Sequence, residues 1–310
     1  MPLDRQARAL IERFVSEGTP PVSKLTPTEA RRLTREVNRR LRSPPEPVAV
    51  VKNMRMSDSS AQIPARLYIP REGEVLPVLL YFHGGGWVLG DLDSVDSLCR
   101  SLANAAGSMV LSVDYKLAPE HKFPAAVEDA YSAIKWIADN ATGLNGDPRR
   151  IAVGGDSAGG NLAAVVSLMS RDKHGPPVVF QLLIYPATNY AFDTASYSDN
   201  AEGYWLSKDD MKWFWNHYLH GEEDGRNPYA SPSRAGDLRS LPPAFVLTAE
   251  FDPLRDEGEA YAARLRECGV VVKVTRYDGM IHDFVNIAEL RQSRIAIDEA
   301  AAELRKAFAT

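Results

Sequence analysis

One segment of the chain indicates its architecture more clearly than any other. It reads Ile151-Ala152-Val153-Gly154-Gly155-Asp156-Ser157-Ala158-Gly159-Gly160-Asn161-Leu162-Ala163-Ala164. It opens with an apolar run typical of a buried strand and closes with an Ala- and Leu-rich run typical of a helix. A strand that turns directly into a helix crowds the backbone, and Gly155 and Gly159 relieve that crowding. The turn exposes the hydroxyl of Ser157 above the sheet edge. It also places the N–H of Ala158 at the positive end of the helix, where an oxyanion can be held.

The bare Gly-x-Ser-x-Gly pattern is short enough to arise by chance, so its flanking strand and helix carry the argument. The alternative is a glycine-rich turn whose serine only caps the helix. A nucleophilic serine also needs a base, and the base needs an acid that orients it. The sequence must therefore supply both elsewhere.

Two segments near the end of the chain supply them. His282 follows the predicted last strand, Val270 to Arg276, and Asp252 follows the preceding strand, Phe245 to Leu247. Ligands bind at the carboxyl ends of parallel strands. The order Ser157, Asp252, His282 is the order of an α/β-hydrolase triad. Capping of a helix by Asp252 is the alternative, and it does not exclude catalysis.

A glycine run supplies donors for an anion. Gly84-Gly85-Gly86 comes directly after the predicted strand Val78 to Phe82. Three glycines allow the backbone to approach closely and to turn its amides inward. A phosphate loop is disfavoured because no Gly-Lys-Ser/Thr follows. We expect an oxyanion hole formed by Gly84, Gly85 and the N–H of Ala158.

The rest of the chain alternates short apolar runs with helical patterns, which predicts a mostly parallel sheet with helices on both faces, an α/β fold. An antiparallel pair, Val48 to Met56 with Ile63 to Ile69, precedes it. Further strands are predicted at Met109 to Val113 and Val178 to Ile184. Further helices are predicted at 98–105, 123–138, 254–268 and 291–308.

One long segment, Asn189 to Arg239, breaks this alternation and contains a capped aromatic helix, Ser207 to Leu219. An insertion after a strand lies over the ligand crevice, so we expect it to form a helical cap. The division predicted is an N-terminal cap part at 1–45, a catalytic core at 46–188 and 226–310, and an inserted cap part at 189–225. Expected substrate contacts are Trp87, Leu206, Met211 and Phe214.

A helix predicted in the N-terminal part of the chain, from Thr26 to Leu41, is strongly basic. Two interpretations stay open for it: a face that binds an anion or a partner, and a solvated helix surface. Its arginines, counted with one just beyond its end, are Arg31, Arg32, Arg35, Arg39, Arg40 and Arg42.

Composition excludes several classes. The 310 residues are 45% hydrophobic and 25% charged, with a formal charge of −5, which is ordinary for a globular protein and gives no basic block for nucleic acid or an anionic membrane. Cys99 and Cys268 stand far apart and predict free thiols in a reducing compartment. The first residues lack a signal-peptide core, so we expect a cytoplasmic protein without stable membrane association.

Four segments resemble one family, the hormone-sensitive-lipase-like carboxylesterases of the α/β-hydrolase superfamily, and most closely its bacterial and archaeal members. The resemblance covers most of the chain from about Val48. It implies a Ser157, Asp252 and His282 triad, an oxyanion hole from Gly84, Gly85 and Ala158, no cofactor or metal, and a small-molecule ester as substrate; it is also compatible with a homodimer. The matching segments are His83 to Trp87, Asp114 to Glu120, Gly155 to Asn161 and Asp252 to Glu257.

The expected function is hydrolysis of short- to medium-chain acyl esters through an acyl-enzyme. Amide or lactone hydrolysis by the same triad is an alternative, as is a binding module of this fold; the module is disfavoured because His282 is present. Asp283 stands where the family often has glycine. A carboxylate beside His282 would stabilise the imidazolium and raise its pKa.

Overall fold

A computed structural model of the protein describes residues 2–57 and 62–309. Its single sheet has eight strands in the order β1-β2-β4-β3-β5-β6-β7-β8. The strands are β1 (Val50–Ser57), β2 (Gln62–Ile69), β3 (Leu76–Phe82), β4 (Met109–Val113), β5 (Gly146–Asp156), β6 (Phe180–Ile184), β7 (Ala244–Phe251) and β8 (Val272–Ile281). The helices are α1 (Arg5–Ser16), α2 (Pro27–Leu41), α3 (Asp96–Ala106), α4 (Ala125–Asn140), α5 (Ala158–Asp172), α6 (Ala195–Asp199), α7 (Lys208–Tyr218), α8 (Glu222–Arg226), α9 (Arg255–Glu267) and α10 (Arg291–Phe308).

The predicted mostly parallel sheet is confirmed. Strand β2 runs antiparallel to both of its neighbours, β1 and β4, whereas all the other neighbouring strands pair in parallel. Strands β3, β4 and β6 are buried along their whole length, which explains why each is mainly apolar, with Ser112 in β4 and Gln181 in β6 as the polar exceptions.

Helices cover both faces of the sheet, as predicted. Side chains alternate along β3, so that Val78, Leu80 and Phe82 enter one core while Leu79 and Tyr81 enter the other. Helices α4, α5 and α9 pack on the first face, and α3 and α10 on the second. Helix α5 is buried from its start to Ser170, because it crosses the centre of the sheet behind the serine turn.

The N-terminal helices and the inserted segment contact each other. Phe14 of α1 packs edge-on against Trp205, with ring centroids 5.1 Å apart. The backbone N–H of Ser23 donates to Oδ1 of Asp210 on α7 at 2.9 Å. Helices α2 and α7 begin as their sequences predict, since each starts with a capping box. These contacts support the predicted cap, whose boundaries stay a prediction.

Strands β7 and β8 extend further at their carboxyl ends than their apolar residues predict. Strand β7 continues to Phe251 and β8 to Ile281, and these two residues pair directly despite a bulge after Ala249. The extensions mix polar and apolar residues and are held by backbone hydrogen bonds that side-chain hydrophobicity does not reveal. The pairing sets the residues that follow, Asp252 and His282, side by side at the carboxyl edge of the sheet.

In the part of the chain that the structure describes, no helix is both long enough and apolar enough to cross a lipid bilayer. Cys99 is buried and Cys268 partly buried, and both are free thiols, as the sequence predicts.

Candidate active site

Ser157 lies at the turn between β5 and α5 in a strained conformation, with φ 57° and ψ −117°. The turn closes so tightly that a Cβ on Gly159 would overlap the carbonyl oxygen of Phe82, and one on Gly155 would overlap the backbone of Gly159. Both glycines are therefore required by the close approach of β3, β5 and α5. The serine side chain points away from the sheet, toward His282.

The structure brings Ser157, Asp252 and His282 together. Nδ1 of His282 lies 2.7 Å from Oδ2 of Asp252, and Nε2 lies 3.0 Å from Oγ of Ser157. An ionised carboxylate only accepts hydrogen bonds, so Nδ1 carries the proton and donates to Asp252. Nε2 of the neutral ring is then the acceptor, and the hydroxyl of Ser157 donates to it.

The second oxygen of Asp252 has a structural role. Its Oδ1 accepts the backbone N–H of Leu254 at 2.8 Å. One oxygen thus fixes the turn that leads into α9, while the other faces the histidine. Asp252 does not cap α9, because the N-cap residue of this helix is Leu254 and no side chain caps it.

The environment of His282 controls its proton affinity. Burial, the largest single effect, disfavours the imidazolium, but the charge and hydrogen bond of Asp252 together with the charges of Asp283 and Asp156 outweigh it. The net result is a raised pKa for His282. Ser157 and His282 keep only 9% and 6% of their surface exposed, so the site is nearly closed to solvent.

The glycine run follows β3 at the same edge of the sheet. Gly85 has φ +109°, and a Cβ there would overlap the carbonyl of Leu89; a Cβ on Gly84 would overlap the carboxylate of Asp156. The loop is thus packed too closely for any side chain. Ala158 is the first residue of α5, so its N–H has no acceptor within the helix. These features are compatible with the expected oxyanion hole.

A second group of polar side chains lies behind the histidine. The amide Nδ2 of Asn286 donates to Oδ1 of Asp283 at 2.7 Å and to Oδ2 of Asp156 at 3.2 Å. The hydroxyl of Tyr81 donates to Oδ1 of Asp156 at 2.7 Å, so this carboxylate is turned away from Ser157. Burial, together with the charge of Asp156, raises the pKa of Asp283 to about 6.

The four expected substrate contacts have different surroundings. Trp87 is fully buried, with its ring stacked on Tyr218 of α7 at 4.3 Å. Phe214 lies directly against Gly86 of the glycine loop, where a Cβ would overlap its ring. Met211 and Leu206 are buried in the core that α7 shares with the sheet. Phe214 is therefore the member of the set whose contacts most favour a place beside the reacting carbonyl.

Sequence reasoning missed the supporting roles of two residues, Asn286 and Glu257. Asn286 lies four residues beyond His282, and no motif marks it. Glu257 is buried and accepts the backbone N–H groups of Thr188 and Asn189, at 2.6 and 3.2 Å. Its burial raises its pKa to about 8. These contacts join segments far apart in sequence, so only the folded chain reveals them.

A strained serine after a central strand, hydrogen-bonded to a histidine that an aspartate orients, defines the α/β hydrolases as the class of this protein. The sequence profile of the α/β hydrolase fold matches residues 79–286. The chain belongs to this family, within its hormone-sensitive-lipase-like branch, as the resemblance predicts.

Named relatives extend the comparison. The chain is 46% identical over 246 residues to carboxylic ester hydrolase LipN of Mycobacterium tuberculosis, covering 77% of this chain and 65% of that protein. It is 44% identical over 257 residues to carboxylesterase NlhH of the same species, covering 81% of each chain. The structure of an ester hydrolase from the Lake Arreo metagenome superposes with a TM-score of 0.95 at 42% identity, covering 99% of this chain and 100% of that one.

Proposed function

We propose that the protein is a serine carboxylesterase that hydrolyses short- to medium-chain acyl esters through an acyl-enzyme. The observation that carries this proposal is the continuous hydrogen-bond relay from Ser157 through His282 to Asp252. Similarity to proteins named carboxylesterases and ester hydrolases, two of them above 40% identity, supports the ester as the bond that is cleaved.

The reaction begins when the Ser157 hydroxyl attacks the ester carbonyl and gives its proton to Nε2 of His282. Asp252 stabilises the imidazolium that forms, and its hydrogen bond holds the ring in the required tautomer. The carbonyl oxygen gains negative charge and is bound by the N–H groups of Gly84, Gly85 and Ala158, each worth a few kcal/mol of the barrier.

The imidazolium then protonates the leaving alcohol, and the acyl group stays on Ser157. Water enters, gives a proton to Nε2 of His282 and attacks the acyl carbonyl. The imidazolium then returns this proton to Oγ of Ser157 as the acid leaves, which regenerates the serine. Phe214 on α7 lies against the glycine loop and limits the space beside the reacting carbonyl. Short and medium acyl chains are expected for a site this closed.

The test is hydrolysis of p-nitrophenyl esters from acetate to palmitate by the native protein and by Ser157→Ala. We expect turnover that peaks at short or medium chains, and a loss in the variant on the order of 10⁴-fold or more. The matched control is Ser167→Ala. Ser167 is a buried serine of α5 whose hydroxyl donates to the carbonyl of Ala163 at 2.9 Å, so this variant retains turnover.

Ester hydrolysis that survives in Ser157→Ala would overturn the assignment of the nucleophile. If the native protein hydrolysed anilides or lactones and none of the esters, its activity would be amide or lactone hydrolysis. Binding of the esters without turnover in the native protein would favour a binding module of this fold.

A further inference from the structure

The arginines of α2 have three different surroundings. Arg31 is bound within the protein, since its guanidinium donates to the backbone oxygens of Val88 and Ala118 and to the carboxylate of Glu120. Arg40 forms a two-pronged ion pair with Glu17. These two explain part of the basic pattern as structure.

Three other arginines face a common space. Arg35 and Arg39 lie one turn apart on α2, and Arg42 follows its last residue. All three line one surface cleft of about 450 Å³. Within residues 2–57 and 62–309, none of the three guanidinium groups has a hydrogen-bond or ion-pair partner, and Nε of Arg42 is buried without an acceptor. Arg35 and Arg39 are exposed, so what distinguishes these arginines from a solvated helix face is that they line one cleft with the partly buried Arg42.

The opposite wall comes from the catalytic core. Arg66 on β2 and Arg100 on α3 line the cleft and are already paired: Arg66 with Asp93 at 2.8 Å, and Arg100 with Asp96 at 2.7 Å. The carboxylate of Asp91, also in the lining, accepts only the backbone N–H of Ser94 among the hydrogen bonds of the described residues. Five arginines face three aspartates, so the cleft has a formal charge of +2.

From this arrangement we infer that the cleft between α2 and the β2–α3 wall binds a small phosphorylated molecule, with its phosphate groups held by Arg35, Arg39 and Arg42. Guanidinium groups present donors in a planar fork that matches phosphate oxygens, and charge-assisted bonds to them are strong. Asp91 is an acceptor for a hydroxyl group of the ligand. Organic ligands fill sites of about 300–1,000 Å³, so the cleft suits a nucleotide or a sugar phosphate.

The location gives the ligand a mechanical effect. Helix α2 belongs to the proposed cap, whereas β2 and α3 belong to the core. A ligand that binds both walls joins cap to core and resists their separation. Binding therefore raises the melting temperature of the protein, because a ligand that binds only the folded state shifts the unfolding equilibrium.

The test is isothermal titration calorimetry of the full chain with adenosine diphosphate as the probe, and with inorganic phosphate and sulfate at equal ionic strength. We expect saturable binding of the diphosphate, tighter than that of either simple anion, and a higher melting temperature. Arg35→Gln and Arg39→Gln should each weaken it about tenfold or more, because each removes a charge-assisted bond. Both residues are exposed, so the variants fold, which circular dichroism checks.

Arg32→Gln is the matched control, since Arg32 is an exposed arginine of α2 outside the cleft and its loss changes the net charge equally. Its binding should equal that of the native protein. Equal weakening in all three variants would show a diffuse charge effect and overturn the proposal. The proposal would also be overturned if adenosine diphosphate did not bind at millimolar concentration. Tighter binding of a hexaglutamate peptide would overturn it as well, and would indicate that this surface binds an acidic protein.

Discussion

Ser157 shows how one backbone conformation organises its neighbours. Its φ of 57° requires a turn in which two glycines approach other backbone segments. The strain is held by a closely packed surrounding: the N–H of Ser157 donates to the carbonyl of Ile184 at 2.8 Å. A residue held this way presents its hydroxyl to His282 in a fixed geometry, which lowers the reorganisation that attack requires.

Asp283 is expected to set the acid side of the pH profile. Its carboxylate favours the protonated form of His282, whereas the reaction needs the neutral ring. Asp283→Asn should therefore lower the pKa of His282 and move the acidic limb of kcat/KM to lower pH, by about one unit or less. Asparagine tolerates the φ of 66° at this position.

The sign follows from the charges that face His282. Asp252, Asp283 and Asp156 all raise its pKa, and only Asp283 is removed. Because the pKa of Asp283 is about 6, its anion is present mainly above that pH. Asp278→Asn, which removes an exposed carboxylate of β8, is the control. An acidic limb that stays in place in both Asp283→Asn and Asp283→Gly would refute this role.

At the scale of elements, the carboxyl ends of four strands assemble the site. The glycine loop follows β3, Ser157 follows β5, Asp252 follows β7 and His282 follows β8. Parallel pairing places these ends on one edge. Phe214 of α7 lies against the glycine loop at this edge, and Ser23, between α1 and α2, donates to Asp210 of α7. The sheet thus fixes the reacting groups, and the cap is expected to shape the substrate site.

Asp210 joins the two parts of the proposed cap. Its carboxylate accepts three donors: the N–H of Ser23, and the N–H and hydroxyl of Ser207. Asp210→Ala leaves these donors without an acceptor in a buried place, so we expect a loss of about 1–3 kcal/mol in the free energy of unfolding, measured by urea denaturation.

The neighbouring residue provides the control for this loss. Asp209 has the same formal charge in the same helical turn, but its side chain is 74% exposed and, among the described residues, forms an ion pair only with Lys212, at 3.3 Å. Asp209→Ala should change stability little, as exposed ion pairs contribute at most about 1 kcal/mol. Equal effects of the two substitutions would mean that only helix charge matters and that Asp210 does not join the segments.

Over the whole molecule, the sequence predicts what local patterns encode. Apolar runs locate the central strands, and glycines mark the backbone approaches at Gly85 and Gly159. Side-chain periodicity could not predict the full extent of β7 and β8, because their extensions mix polar residues, such as Glu250 and Asp278, with apolar ones and are held by pairing with each other. The bridge from Asn286 to Asp156 also escaped prediction, since it joins residues 130 positions apart.

The basic helix illustrates the same limit at the surface. Its sequence left two interpretations open, and burial and pairing divide its arginines between them. Arg31 and Arg40 are engaged by the protein, whereas Arg35 and Arg39 face a cleft whose other wall lies in a separate part of the chain. A local pattern cannot say what lies opposite it.

Covalent labelling is the most direct test of whether Ser157 is the nucleophile. The native protein is treated with a p-nitrophenyl alkylphosphonate, digested, and analysed by mass spectrometry. We expect one phosphonyl group per chain, on the peptide that contains Ser157, and no label in Ser157→Ala, because only a serine activated by His282 attacks at phosphorus at an appreciable rate. A label on any other residue, or equal labelling of Ser157→Ala, would contradict it.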